Sequence, residues 1–177
     1  MTTLHIFDFD DTLVRSDSSV HVTKDDGSLL TMSSEEYAKY VSEPGDVFNF
    51  SEFDEYPVNP QIIEEVFLEL QMAIAKDGKS NVVILTARSN PSPVSDFLKN
   101  NGINGIEVYA TGSSNPIDKA KYVVDRINSN PEIQLVRVFE DNVKNIREIR
   151  KFVRKDGTVA LQTHKISNGE ISLTSNS

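Results

Sequence analysis

The sequence contains no cysteine among its 177 residues. The chain therefore cannot form disulfides, hold a metal through thiolates or use a cysteine nucleophile, so any catalytic group must be an oxygen or nitrogen atom. No apolar run approaches the roughly 20 residues that a membrane helix needs, and the N-terminus lacks the pattern of a secretory signal. We therefore expect a soluble, cytoplasmic protein with no membrane partner.

Basic residues are also scarce, with 18 Lys and Arg against 27 Asp and Glu and a net charge of -9. This balance disfavours broad contact with a phosphate backbone, and a small anionic substrate would need a local cation. The content of hydrophobic residues, 38%, suffices for one core. We predict a single domain over residues 1–173, followed by a frayed tail at 174–177.

Apolar, β-rich runs alternate along the chain with segments that have helical periodicity. This alternation is typical of an α/β fold in which helices cover a parallel sheet. We predict a Rossmann-like, three-layer α/β/α architecture with a central parallel sheet. Strands are expected at 3–7, 81–87, 105–111 and 134–140, helices at 59–78, 92–101, 116–128 and 142–155, and a last hairpin that turns at Asn168 and Gly169.

The segment 15–58 interrupts this alternation. Two β-rich runs flank Asp26 and Gly27, which predicts a hairpin, and Ser33 with Glu36 forms a capping box for a short helix. We interpret the segment as a small cap or flap inserted after the first strand. Its aromatic residues suit a small core of its own, or else a stacking platform for a base: Tyr37, Tyr40, Phe48, Phe50 and Phe53.

Polar residues stand where the predicted strands end. The stretch LHIFDFDDTLV, from Leu4 to Val14, places three aspartates directly after an apolar run. Such crowding of like charges is not required for folding. Thr86 and the pair Glu140 and Asp141 end two further strands. Because ligands bind at the carboxyl edge of an open α/β sheet, these residues indicate a functional site there.

The sequence resembles the phosphatases of the haloacid dehalogenase superfamily in their four short motifs. The motif Asp-x-Asp-x-Thr matches residues 8–12, and a Thr that closes an apolar strand matches Thr86. A lysine near a helix start is matched by Lys119, with Lys121 as its competitor, and an acidic pair is matched by residues 140–141. Asp11 stands where glycine is common, and the first residue of the pair is glutamate where many members have aspartate.

This resemblance implies hydrolysis of phosphomonoesters through an aspartyl-phosphate intermediate. Asp8 would be the nucleophile, and Asp10 would protonate the leaving group and then deprotonate water. Thr86 and Lys119 would hold the phosphoryl oxygens. The presence of Asp10 favours phosphate chemistry over dehalogenation, because a halide leaves without a proton.

The resemblance also implies a magnesium ion. Asp8, the backbone carbonyl of Asp10 and a carboxylate of Glu140 or Asp141 would bind it, and which member of that pair contacts the metal stays open. Thr12 is expected among the substrate-binding residues. Arg88 would contact the substrate phosphate or simply pair with a surface carboxylate. Asn145 would support the metal site through water or lie in solvent, like any other helix asparagine.

The substrate is less closely defined than the chemistry. We expect a nucleotide or another small phosphorylated metabolite. The layout is also similar to the phosphatase domain of polynucleotide kinases, which makes removal of 3′-phosphates from nucleic acid ends an alternative. A second alternative is a non-catalytic domain that binds metal and a partner.

Overall fold

The computed structural model describes residues 2–176, except the side chains at positions 156, 175 and 176. It shows an α/β fold with a mostly parallel central sheet flanked by helices. In chain order the elements are β1 (Thr2–Phe7), β2 (Val14–Arg15), β3 (Ser19–Thr23), β4 (Leu29–Ser33), α1 (Ser34–Lys39), β5 (Val47–Asn49), β6 (Gln61–Ile62), α2 (Glu64–Asp77), β7 (Val82–Thr86), α3 (Ser92–Asn100), β8 (Glu107–Ala110), α4 (Pro116–Ser129), β9 (Ile133–Glu140), α5 (Val143–Asp156), β10 (Ala160–Ser167) and β11 (Glu170–Asn176).

The central sheet has the strand order β11-β10-β9-β1-β7-β8, and only β11 is antiparallel to its neighbour. β1 lies between two strands that come much later in the chain, and Ile6 is paired with Val83 on β7 and with Val138 on β9. The chain leaves β1 towards β7 and β8 and then returns to β9 on the other side. Such a reversal of strand order opens a crevice at the carboxyl edge of the sheet, between the loops that follow β1 and β9.

Two apolar clusters cover the sheet, and alternate residues of β1 contribute to different clusters. Phe7 packs with Val66 and Leu70 of α2 and with α3, whereas Ile6 packs with Val123 of α4 and with α5. Strands buried in this way are nearly continuous apolar runs, as β7 is throughout its length.

The helix ends follow local signals in four of the five helices. The side chain of Asn115 caps α4 by accepting from the N–H of Ile117, and the side chain of Asn142 caps α5 by accepting from the N–H of Lys144. At the end of α5, Gly157 adopts the left-handed conformation (φ 69°), as expected for a helix terminus. The predicted positions of α3, α4 and α5 are confirmed to within two residues.

The predicted start of the helix at Asn59 and Pro60 is wrong. α2 begins at Glu64, because β6 pairs with β2 and the N–H of Ile63 donates to the carbonyl of Leu13 at 2.9 Å. Asn59 has a left-handed φ of 46°. A tertiary strand pair therefore overrides the local capping signal.

The segment 15–58 contains a three-stranded sheet in the order β4-β3-β5. The hairpin around Asp26 and Gly27 is present, and so is the capping box, in which Ser33 and Glu36 bond reciprocally at the start of α1. The aromatic residues are divided between two environments, since Phe53 is buried with Val20, Val22 and Met32, whereas Phe50 is 39% exposed.

The C-terminal hairpin turns at Asn168 and Gly169, both with positive φ, as expected. The expectation that the chain frays from residue 174 onward is wrong, because β11 continues past Leu173 to Asn176 and stays paired with β10. The Oγ1 atom of Thr174 donates to the carbonyl of Thr163 at 3.1 Å and fastens this extension. Ser177 lies outside the described residues. None of the helices in residues 2–176 is long and apolar enough to cross a membrane.

His5 gives the fold a measurable pH dependence. It is 2% exposed, and its Nε2 atom lies 2.7 Å from Oδ2 of Asp77. Burial lowers the pKa of His5 below its usual 6.5, although the Asp77 contact opposes the effect. The unfolded chain therefore binds a proton at this histidine more readily than the folded chain does. The stabilisation that comes from burying neutral His5 is present above about pH 6.5 and is lost as the pH falls.

We expect His5→Gln to show a flatter decline in the free energy of unfolding than the wild type between about pH 7 and 5 in urea titrations.

Carboxylates that do not contact His5 contribute equally to both curves, so their effect cancels in the comparison. Parallel curves for the two proteins would show that His5 does not change its protonation on unfolding.

Candidate active site

Three adjacent strands bring the predicted residues to one edge of the sheet. Asp8 follows β1, and its N–H continues the ladder by donating to the carbonyl of Phe139 on β9 at 2.9 Å. Thr86 ends β7, and Glu140 ends β9. Because β9, β1 and β7 are parallel neighbours, their carboxyl ends meet at the same edge, as expected from the sequence.

Lys119 joins two of these strands through its ammonium group. Its Nζ atom lies 2.7 Å from Oδ1 of Asp8 and 2.8 Å from Oε2 of Glu140. All three residues are buried, with exposed fractions of 3% for Lys119, 7% for Asp8 and 2% for Glu140. Both bonds are charge-assisted and lie in a largely dehydrated environment, where such bonds are strong.

The start of α4 explains why Lys119 reaches the site. Asn115 caps the helix and Pro116 is its first residue, so Lys119 lies at the end of the first turn, at the carboxyl edge of the sheet. Lys121 is exposed and does not line the site. Of the two lysines that the sequence left open, the structure therefore brings Lys119 to the aspartates.

Thr12 lies between two carboxylates. Its Oγ1 atom is 3.0 Å from Oδ2 of Asp8 and 3.2 Å from Oδ1 of Asp141, and Thr12 is fully buried. The hydroxyl has one proton, so it donates to one carboxylate at a time. In this arrangement Thr12 orients the acidic groups and does not face the cavity, where it was expected to meet the substrate.

The acidic groups perturb one another strongly. Burial and the charge of Asp8 raise the pKa of Glu140, and burial with the charges of Asp8 and Glu140 raises the pKa of Asp141 well above its usual range. Burial opposes the ionisation of Asp8, but the Lys119 charge and several hydrogen bonds outweigh burial and lower its pKa. Burial would likewise lower the pKa of Lys119, and the charges of Asp8 and Glu140 raise it instead. Of these three carboxyl groups, Asp8 is therefore the one whose ionised form the surroundings favour most.

One oxygen from each of Asp8, Glu140 and Asp141 lies within 4.8 Å of the others, a grouping that could hold a metal ion. Asp8 and Asp141 line the cavity, whereas Glu140 does not. Both oxygens of Glu140 already accept hydrogen bonds, from Lys119 and from the N–H of Asn142 at 3.0 Å. The geometry therefore gives Asp141 better access to a cation than Glu140.

Asp10 is held by Arg88 in a bidentate ion pair. Nε of Arg88 donates to Oδ2 of Asp10 at 2.9 Å, and a terminal nitrogen donates to Oδ1 at 2.8 Å. The other terminal nitrogen donates to the carbonyls of Phe53 and Glu55, each at 3.0 Å, and Arg88 is 4% exposed. Arg88 thus pairs with a carboxylate of the site itself and not with the expected surface carboxylate, and it also connects the site to the segment 15–58.

The turn after Asp8 explains the residue at position 11. Asp11 has a φ of 62°, a left-handed conformation that glycine adopts freely and that aspartate tolerates better than most residues. Its carboxylate also accepts a hydrogen bond from Oγ of Ser34, at the start of α1. Burial and the charges of Asp10 and Asp8 raise the pKa of Asp11 to about 6. Aspartate in place of glycine at position 11 therefore adds a second contact between the site and the segment 15–58, through Ser34.

A cavity of about 450 Å³ opens above these residues. Asp8, Asp10, Lys119 and Asp141 form its polar floor, and residues of the segment 15–58 form an aromatic wall. In this wall, Phe50 stacks on Phe48 with ring centroids 5.9 Å apart and meets Tyr37 edge to face at 5.2 Å. Thr86 is 1% exposed and does not line the cavity. Its hydroxyl accepts a hydrogen bond from the N–H of Arg88 at 3.2 Å.

Some lining residues were not indicated by the sequence. Ser89 and the loop 112–114 line the cavity, and the hydroxyl of Tyr37 donates to Oγ of Ser114 at 3.3 Å across its mouth. Their loops follow β7 and β8, so the only available signal was their position after predicted strands. Asn145 lines the cavity and is only 8% exposed, so it does not lie in solvent like an ordinary helix asparagine.

Comparison with known proteins gives no match to a family model, to a curated protein or to a solved structure. The function of the site must therefore be inferred from its own geometry and from the motifs.

The buried lysine should be essential for stability. We expect Lys119→Met to lower the free energy of unfolding by about 3–5 kcal/mol, because it leaves Asp8 and Glu140 buried without their counter-charge. Lys121→Met is the matched control and should change it by less than about 0.5 kcal/mol, as is usual for an exposed residue. Urea titration measures both. Equal effects of the two substitutions would contradict the assignment of Lys119 to the site.

Proposed function

We propose that the chain is a magnesium-dependent phosphohydrolase that cleaves phosphomonoesters through an aspartyl-phosphate intermediate. The observation that carries this proposal is the position of Asp8 on the cavity floor, 2.7 Å from the ammonium of Lys119. An anionic phosphoryl group needs a nucleophile and a cation side by side, and this pair supplies both.

We also propose that the fold is the Rossmann-like, three-layer arrangement of the haloacid dehalogenase superfamily, with the segment 15–58 as a small cap. The division of the core into one cluster with α2 and α3 and another with α4 and α5 supports the layers. The cap interpretation is supported by the aromatic wall that this segment contributes above Asp8.

In the proposed reaction, an oxygen of Asp8 attacks phosphorus and the bond to the leaving oxygen breaks. Asp10 gives its proton to that oxygen, and in the second step it takes a proton from the water that hydrolyses the aspartyl-phosphate. Free phosphate leaves and Asp8 is regenerated. Protonating Asp10 weakens one of its two bonds from Arg88, because a hydroxyl oxygen accepts less well than a carboxylate oxygen. Proton transfer is therefore linked to Arg88 and, through Phe53 and Glu55, to the cap.

Asp8 and Asp141 are the side chains that we expect to hold Mg²⁺, together with the backbone carbonyl of Asp10. Their hard oxygen atoms suit this ion, and the crowding of acidic groups within 4.8 Å favours a cation. The bound ion would offset the charge of the phosphate and of the carboxylates. Glu140 would position Lys119, which would hold a phosphoryl oxygen.

The aromatic wall favours a nucleotide over a sugar phosphate as the substrate. Phe50 is 39% exposed although it lies beside the buried Phe53. An exposed aromatic ring that lines a cavity above a phosphate site offers a face on which a base can stack.

The central test is release of phosphate from a panel of phosphomonoesters, with magnesium or with a chelator. The wild type should release phosphate only with magnesium, and Asp8→Asn should reduce turnover at least about a thousandfold because the amide is not a nucleophile. Asp125→Asn makes the same chemical change on the exposed face of α4 and should leave turnover unchanged.

Binding of the ion gives a second readout that does not depend on turnover. Magnesium should raise the melting temperature of the wild type, and Asp141→Asn should lose most of this rise. A rise in melting temperature without phosphate release from any substrate would favour the non-catalytic, metal-binding alternative. Undiminished turnover by Asp8→Asn would contradict the proposed mechanism.

Substrate preference is tested at Phe50. We expect Phe50→Ala to raise KM for a nucleoside monophosphate by about fivefold to a hundredfold, because base stacking contributes about 1–3 kcal/mol, and to leave KM for ribose phosphate nearly unchanged. Val41→Ala, an exposed apolar change in the same segment, should alter neither. An equal rise in both KM values would show that Phe50 shapes the cavity without recognising a base.

A further inference from the structure

A second groove, of about 670 Å³, lies between α5 and the hairpin β10–β11. Six cationic side chains line it, and none of its described lining side chains is acidic. Five come from α5 and one from β10: Arg147, Arg150, Lys151, Arg154, Lys155 and Lys165.

The charge of the chain is therefore strongly segregated. Residues 143–165 contain seven of the 18 Lys and Arg residues and only two of the 27 Asp and Glu residues. On α5, Arg147 lies four residues before Lys151, Arg150 before Arg154, and Lys151 before Lys155. Like charges at this spacing lie side by side on a helix and destabilise it. Stability alone does not favour such an arrangement.

The contacts within the groove leave these charges largely uncompensated. Arg150 donates to the hydroxyls of Thr163 and Thr174, each at 2.7 Å, so its partners are neutral. Among the described side chains, the one ion pair of the six cations joins Lys151 to Glu148 at 3.9 Å. Arg147, Lys151 and Arg154 are exposed. Apart from the Lys151 pair, the groove thus offers an anion several charges that no described acidic side chain neutralises.

Residues at the start of α5 line both the cavity and the groove. Lys144 and Asn145, in the first turn of α5, line the cavity, whereas Val143 and Arg147 line the groove. From Lys144 to Lys155 the helix extends about 16 Å, at 1.5 Å per residue. A linear anion could therefore lie along α5 with one end at the cavity.

We propose that this groove binds the phosphate backbone of a single-stranded nucleic acid. A flexible strand has evenly spaced phosphates and can follow a concave groove of this length, in the manner of a basic channel that tracks a backbone. A membrane surface fits less well, because the apolar face of α5 is already buried through Ile149 and Val153 and has nothing to insert. The net charge of -9 does not prevent such binding, because the groove concentrates the cations in one place.

The position of the groove has a consequence for the active site. If the proposed function holds, a phosphorylated end of such a strand would be a substrate, and this step alone rests on that function. Binding of the strand along α5 does not depend on it.

The experiment measures binding of a fluorescent single strand of about 15 nucleotides that carries no terminal phosphate. Fluorescence anisotropy between about 50 and 200 mM salt gives the affinity and its salt dependence. The test variant combines Arg147→Gln, Lys151→Gln and Arg154→Gln. The matched control combines Lys76→Gln, Lys79→Gln and Lys99→Gln, which remove the same charge from exposed positions on or beside α2 and α3.

The wild type should bind, and its affinity should fall steeply as salt rises. The test variant should bind at least about tenfold more weakly at low salt, with a slope of log K against log salt that is smaller by about two, because each phosphate contact contributes about 0.7. The control variant should behave like the wild type. Both variants should unfold at the wild-type midpoint in urea titrations, which shows that they are folded whether or not the chain releases phosphate.

Three outcomes would overturn the inference. They are equal binding by the two variants, no binding by the wild type, and binding to vesicles that contain phosphatidylserine without binding to the strand. Strand binding by a chain that releases no phosphate would support this inference and refute the proposed function. Phosphate release without strand binding would refute this inference and support the proposed function.

Discussion

The ion pairs of Lys119 are the interaction on which the site depends. Two carboxylates, Asp8 on the loop after β1 and Glu140 at the end of β9, lie buried at adjacent strand ends. Neither could be kept ionised there without a counter-charge, because a buried and unpaired charge is very costly. Lys119 supplies it from α4, which packs on the same two strands. The strand order, the capped start of α4 and the acidic edge therefore form one electrostatic unit.

A second ion pair extends this unit to the segment 15–58. Arg88 follows β7 and holds both oxygens of Asp10, and its remaining bonds reach two backbone carbonyls of that segment. The guanidinium also lies 5.2 Å from the ring of Phe53, the aromatic residue that is buried in the core of the segment. The fork geometry of arginine permits all these contacts at once, which lysine could not make. Arg88 therefore orients Asp10 and also fixes the segment 15–58 relative to it.

The sequence predicts much of this arrangement, and the features that it does not predict are contacts between residues distant in the chain. The strand ends at Thr86 and Glu140 and the helix cap at Asn115 are local signals, and they identified the edge of the sheet and Lys119. The bond between Arg88 and Asp10 joins residues 78 positions apart, so no local pattern predicts it. The same holds for the strand pair of β2 and β6, which displaced the expected start of α2. Local chemistry predicts which residues are polar and where an element ends, whereas partners distant in sequence are set by the fold.

The basic face of α5 shows a different limit. Its Lys and Arg residues are visible in the sequence, but the net charge of -9 led to the expectation that extended phosphate contact is disfavoured. A net charge describes the field far from the protein, whereas a bound strand meets charges within the screening length of about 8 Å at physiological salt. A strand in the groove would contact these cations directly, whereas acidic groups farther away than the screening length would act on it only weakly. Acidic composition therefore limits where this protein can contact a polyanion, and it does not exclude that contact.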